Sequence, residues 1–120
     1  MCGIAGVWRL AGARSAQALA AQGEAMAQRL LHRGPDDAGV WVDEASQLAL
    51  AHRRLAVVDL SPLGHQPMLS ADQRYVLVFN GEIYNFQTLR AELVAQGHVF
   101  RSTSDTEVML AAFCAWGVPA

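Results

Sequence analysis

Cys2-Gly3-Ile4-Ala5-Gly6-Val7-Trp8 stands directly behind Met1, and two readings of it set the terms for the rest of the chain. As structure, a short run of Ile, Val and Trp with small glycines describes a buried strand over residues 3–10. As chemistry, removal of Met1 would put a thiol and a free α-amine on the same residue. An α-amino group titrates close enough to neutrality to take a thiol proton, directly or through one water. Nucleophiles paired with an N-terminal amine are an established route to acyl transfer. Cys2 alone leaves both readings open.

Composition limits what the rest can be. A chain of 120 residues is one domain at most. At 52% hydrophobic and 17% charged, it can bury a real core. All nine basic residues are arginine and the net charge is -2, which gives no broad attraction for nucleic acid or an anionic membrane. Cys2 and Cys114, the two cysteines, form no CxxC pair, and His52, His65 and His98 show no metal-ligand spacing. No segment approaches the roughly 20 apolar residues that cross a bilayer. The start lacks a basic region before a long apolar stretch. A cytoplasmic setting with reduced thiols is expected.

Outward from the first strand, Ser15 is placed to cap a helix running to about Leu31, with Leu19, Met26 and Leu30 on one face. His32-Arg33-Gly34-Pro35-Asp36-Asp37 is a loop, because Gly-Pro-Asp stops a helix and favours a turn. Val40 to Asp43 and Gln47 to Leu60 read as strands, and Ser61 to Pro67 as a loop. Tyr75 to Phe79 is a strand ending in Asn80-Gly81, a strong hairpin signal, with Glu82 to Asn85 returning as its partner. Phe86 to Gln96 is a helix closed by Gly97. A brief strand spans His98 to Arg101. Ser104-Asp105-Thr106-Glu107 has capping-box spacing at the head of a last helix. Strands in consecutive groups with helices between them predict an α+β, layered domain.

Five separated strings bear on function: Cys2-Gly3-Ile4-Ala5-Gly6, His32-Arg33-Gly34-Pro35-Asp36, Ala51-His52-Arg53-Arg54-Leu55-Ala56-Val57-Val58-Asp59, Asn80-Gly81-Glu82-Ile83-Tyr84-Asn85 and Ser104-Asp105-Thr106-Glu107-Val108. In order and spacing they resemble the glutaminase domain of the asparagine synthetase family, the class II, N-terminal-nucleophile type of glutamine amidotransferase. The resemblance implies an αββα sandwich of the N-terminal-nucleophile hydrolase kind. It also implies that residues 1–120 are the N-terminal part of such a domain, truncated at its C-terminal side.

The same resemblance assigns roles. Cys2 is the nucleophile that attacks the glutamine carboxamide, giving a thioester and ammonia. Asn80 and Gly81 donate to the oxyanion, through the Asn amide and the Gly backbone N–H, and such a donor typically contributes about 2.7–4 kcal/mol to the transition state. Arg54 pairs with the substrate carboxylate, where a guanidinium offers bidentate geometry. Asp105 receives the substrate ammonium, and Glu82 with Leu55, Val57 and Val58 completes the pocket. Bland readings stand beside these: a plain hairpin turn at Asn80-Gly81, a helix-end charge at Asp105, and solvated strand residues at Arg54 and Arg53. Arg33 either shapes the pocket or lines the way out for ammonia, and a structural role for the whole loop is at least as good. Cys114 reads as a small hydrophobe within a helix.

Glutamine is therefore the expected substrate, with no cofactor and no metal in this region. ATP and Mg²⁺ are expected in a synthetase domain of the same parent chain, which lies outside these residues and uses the ammonia. An unfinished sheet leaves open edges that invite pairing with another chain, a homodimer included. Two alternatives remain: a non-catalytic binding or regulatory module of the same fold, marked by a retained Met1, and the glutaminase of another class II amidotransferase. Residues 54–59 and 80–85 favour the synthetase branch over the latter.

Overall fold

The structure, a computed structural model, describes residues 1–120. It is a small mixed α/β chain that packs as two compact units. The first unit comprises residues 1–56, 65–67 and 78–80, and the second comprises residues 57–64, 68–77 and 81–120.

In the first unit, β1 (Gly3–Trp8), β2 (Asp37–Asp43) and β3 (Leu48–Arg54) form an antiparallel sheet in the order β1-β3-β2. The register sets Gly3 opposite Arg53 and Ala38 opposite Arg53 from the other side, so β3 is flanked along its whole length. The helix α1 (Ala16–Gln28) covers one face. Its N-cap is Ser15, whose hydroxyl accepts the Ala18 N–H at 3.1 Å. The buried residues of α1 are Leu19, Gly23 and Ala27, spaced four apart on one stripe. A Cβ on Gly23 would sit 2.9 Å from Val40 Cγ1, so a bare backbone there lets the helix approach the sheet. Ala49 and Ala51, each 1% exposed, supply the matching low surface. Met26 and Leu30, expected on the buried stripe, are only half-buried.

Side chains alternate across a strand. Ile4 and Trp8 therefore point away from α1, and they are 48% and 68% exposed. The expectation of a fully buried first strand is corrected by this: one face of β1 is covered and the other is not. The long strand expected from Gln47 to Leu60 also ends early, at Arg54. Beyond it the backbone groups leave the ladder, with the Ala56 N–H donating to the Asp36 carboxylate at 2.8 Å.

In the second unit, β4 (Met68–Leu69) pairs antiparallel with β5 (Val76–Leu77), and α2 (Phe86–Ala95) packs with α3 (Asp105–Trp116). Leu93 and Val108, both 0% exposed, form its core with Ala112, and Phe86, Leu89, Phe100 and Trp116 pack around them. Burying each large apolar side chain of this kind contributes about 1.5–3 kcal/mol. The α2 helix closes as expected at Gly97: the Gly97 N–H reaches Val94 O and the His98 N–H reaches Leu93 O, both at 3.0 Å.

Two expectations fail here and a third is met in part, as side-chain carboxylates take main-chain N–H groups. No hairpin forms at Asn80-Gly81, because β5 pairs with β4 and residues 82–85 form no strand. Neither Asn80 nor Gly81 has the positive φ that a tight primed turn requires. The Ile83 N–H goes instead to the Asp105 carboxylate at 3.0 Å. The strand expected over 98–101 is absent, since the Arg101 and Ser102 N–H groups both donate to the Glu107 carboxylate at 2.8 Å. The capping box is consequently half made. Ser104 caps α3 by accepting the Thr106 N–H at 3.1 Å, while Glu107 serves residues 101 and 102 rather than Ser104.

No helix is long and apolar enough to cross a membrane.

Candidate active site

Antiparallel pairing of β1 with β3 carries Cys2 to the point where β3 ends. There the half-buried sulfur meets both main-chain groups of Leu55: the Leu55 N–H donates to Sγ at 3.3 Å, and the thiol donates to the Leu55 carbonyl at 3.6 Å. The Cys2 carbonyl accepts from Arg33 Nε at 3.2 Å. The thiol is thus held by backbone, which cannot rotate away as a side chain can. Cys2 is a free cysteine, as is Cys114.

The loop after α1 is stitched to the same strand end. Gly34 is buried, and a Cβ there would run into the Arg53 carbonyl and the Arg54 nitrogen. Arg53 Nε donates to Gly34 O at 2.8 Å, and the Asp36 N–H donates to Arg54 O at 3.0 Å. Arg53 is therefore half-buried and bonded rather than a solvated strand residue. Arg54 points to the opposite face of the sheet and is buried, 8% exposed. The His65 imidazole donates from Nδ1 to Asp37 Oδ2 at 2.6 Å.

Asn80 lies in the first unit with Cys2, Arg54 and Leu55, at the end of a short stretch whose backbone is pinned. Phe79 is held at both of its main-chain groups. Its N–H donates to Gln66 Oε1 at 2.7 Å, and its carbonyl lies 3.1 Å from His52 Nε2. His52 and Gln66 are buried, at 1% and 6% exposed. Burial pushes the His52 imidazole below the ordinary histidine range, the Phe79 carbonyl opposing this in part. Neither contact has a sequence signal, because each side chain acts on a backbone group far along the chain.

Val57, Val58, Gly81, Glu82 and Asp105 belong to the second unit. Val57, Val58, Gly81 and Glu82 are exposed, whereas Asp105 is buried at the head of α3 and accepts the Ile83 N–H. Asp59 was read only as part of a string, yet it organises this unit's loops. Its carboxylate accepts the Ser61 N–H at 2.7 Å and the Thr103 N–H at 2.9 Å. These bonds, Ser61 foremost, hold its carboxyl at about 2. No three His, Cys, Asp or Glu side chains gather closely enough to hold a metal ion.

A thiol directly behind Met1, backed by a strand end and an arginine-bonded loop, is joined by one further finding: the family description that matches this chain over residues 1–120 is a glutamine amidotransferase domain. The chain belongs to that family. This glutamine amidotransferase domain is 42% identical over 116 residues to asparagine synthetase [glutamine-hydrolyzing] 1 of Bacillus subtilis, covering 94% of this chain and 17% of the relative. It is 45% identical over 128 aligned positions to a putative asparagine synthetase [glutamine-hydrolyzing] of Mycobacterium bovis, covering 98% of this chain and 20% of the relative. A probable asparagine synthetase [glutamine-hydrolyzing] of Dictyostelium discoideum is 42% identical over 111 residues, or 92% of this chain and 19% of the relative. The amidotransferase chain thus spans about a fifth of the length of these relatives.

Proposed function

We propose that this domain hydrolyses glutamine through a Cys2 thioester and supplies the ammonia to an ATP-dependent amide-forming reaction of the asparagine synthetase type. The observation that carries the reading is the double main-chain grip of Leu55 on the Cys2 sulfur. It lies at the strand end that also carries Arg54.

Met1 is 75% exposed, and its removal frees the Cys2 α-amine. That amine takes the thiol proton, and the sulfur attacks the side-chain carboxamide carbon of glutamine. Asn80 and Gly81 donate to the oxyanion so formed, in a site where preorganised donors act most strongly. The proton passes from the amine to the departing nitrogen, which leaves as ammonia when the C–N bond breaks. Water then cleaves the thioester, releasing glutamate and restoring the thiol.

Arg54 pairs with the substrate α-carboxylate and Asp105 with its α-ammonium, while Leu55, Val57, Val58 and Glu82 complete the walls. The fold is assigned as the αββα sandwich of N-terminal-nucleophile hydrolases. A sheet with α1 on one face is compatible with that plan. ATP and Mg²⁺ are assigned to a synthetase portion outside residues 1–120.

The test is glutamate release from glutamine by the full-length, Met1-free protein beside Cys2→Ala. Loss of activity in the variant is expected. Equal release from both removes Cys2 from the mechanism, and a retained Met1 seen by mass spectrometry points to a binding module instead.

A further inference from the structure

His52 is a polar side chain sealed almost completely into the first unit, and nothing in the reaction above uses it. Its exposure is 1%, and Nδ1 has no hydrogen-bond partner. A carbonyl oxygen only accepts, so the 3.1 Å contact with Phe79 O requires Nε2 to carry the proton. The ring is then a neutral Nε2–H tautomer with a bare acceptor at Nδ1, and its depressed pKa agrees with that form.

The carbonyl that His52 holds belongs to the same peptide plane as the Asn80 N–H. In a trans peptide these two groups point in opposite directions, so fixing one fixes the other. Gln66 holds the preceding peptide plane through the Phe79 N–H. With both planes beside Phe79 pinned, the Cα from which the Asn80 side chain extends is set before substrate arrives. His52 also shares β3 with the strand end that leads to Leu55, three residues on, where the sulfur is gripped.

We infer that His52 and Gln66 are positioning residues that act as a two-sided clamp on Phe79 and thereby aim the Asn80 donor at the oxyanion. The inference rests on the proposed glutaminase reading and adds two residues to it. A donor misplaced by an ångström costs about a hundredfold in rate, whereas substrate held by Arg54 and Asp105 binds as before.

The experiment compares His52→Leu with His52→Gln, and Gln66→Met with Gln66→Glu, in the full-length protein. Steady-state glutamine hydrolysis is read beside the rate at which iodoacetamide alkylates Cys2, resolved from Cys114 by peptide mass spectrometry. Alkylation uses the same sulfur but develops no oxyanion. The expected result for His52→Leu and for Gln66→Met is a kcat lower by about tenfold to a hundredfold, with KM and alkylation rate unchanged. His52→Gln, which keeps a donor, and Gln66→Glu, which keeps an acceptor, recover most of the loss. An unaltered kcat overturns the clamp, and so does a parallel fall in kcat, alkylation rate and substrate affinity. Should His52→Leu not fold, the Gln66 pair decides the question by the same readouts. Failure of the glutaminase reading itself shows separately, as wild-type activity no greater than Cys2→Ala, and takes the clamp with it.

Discussion

The Asp59 carboxylate accepts the Thr103 N–H at 2.9 Å, tying together positions 44 residues apart. Its other oxygen accepts the Ser61 N–H. Within the second unit it therefore joins the loop holding Val57 and Val58 to the approach of Asp105, two segments expected to touch the same substrate.

Replacing Asp59 with Ala strands both N–H groups. The expected loss is about 1–3 kcal/mol of folding stability, read as a lower denaturant midpoint. The acid limb carries the sign. Asp59 titrates at about 2 when folded, below its ordinary 3.8, so its stabilising effect is complete above about pH 4 and drains away as pH falls toward 2. Asp59→Asn is expected to flatten that part of the stability profile between pH 4 and 2. An unchanged slope there assigns the acid sensitivity to other groups.

Gly34→Ala adds a methyl where the Arg53 and Arg54 backbone already lies. Overpacking of this kind costs about 1–3 kcal/mol, and here it also pushes on the strand end that grips Cys2. A lower melting temperature and a changed Cys2 alkylation rate are expected together. A melting temperature equal to wild type would mean that the loop has room to move away.

Asp105→Asn keeps an oxygen for the Ile83 N–H but removes the charge. Loss of a charge pair with the glutamine ammonium is expected to raise KM for glutamine by tenfold or more, since hydrogen bonds to charged groups are worth about 1.5–3 kcal/mol. Thermal stability should barely change. A raised KM with normal melting separates substrate pairing from a purely helix-end role.

Leu93 and Leu60 are alike in sequence and opposite in environment, at 0% and 77% exposed. Leu93→Ala is expected to cost about 2–5 kcal/mol by opening a cavity between α2 and α3. Leu60→Ala should stay within about 0.5 kcal/mol. Chemical denaturation of the two variants checks both.

What could be read from residues alone was whatever local chemistry decides. Ser15 and Ser104 cap helices because a hydroxyl reaches an N–H two or three residues on, and Gly97 ends α2 for reasons equally local. Where the Asn80-Gly81 hairpin and the 98–101 strand were expected, Asp105 took the Ile83 N–H from 22 residues on, and Glu107 took the Arg101 and Ser102 N–H groups from six and five residues on. Cys2 stood out as a candidate from its position behind Met1. The roles of His52, Gln66 and Asp59 were not, since each holds a backbone group that has no letter of its own in a sequence.

Because β3 carries His52 on one face and presents Ala49 and Ala51 to α1 on the other, its alignment with β1 is fixed by size. Sliding the strand by a single residue would turn every side chain over and drive Leu48, Leu50 and His52 into a gap shaped for methyl groups. The same slip would pull Leu55 away from the sulfur. Two alanines with no chemistry of their own thus act as the proofreaders of the thiol's address.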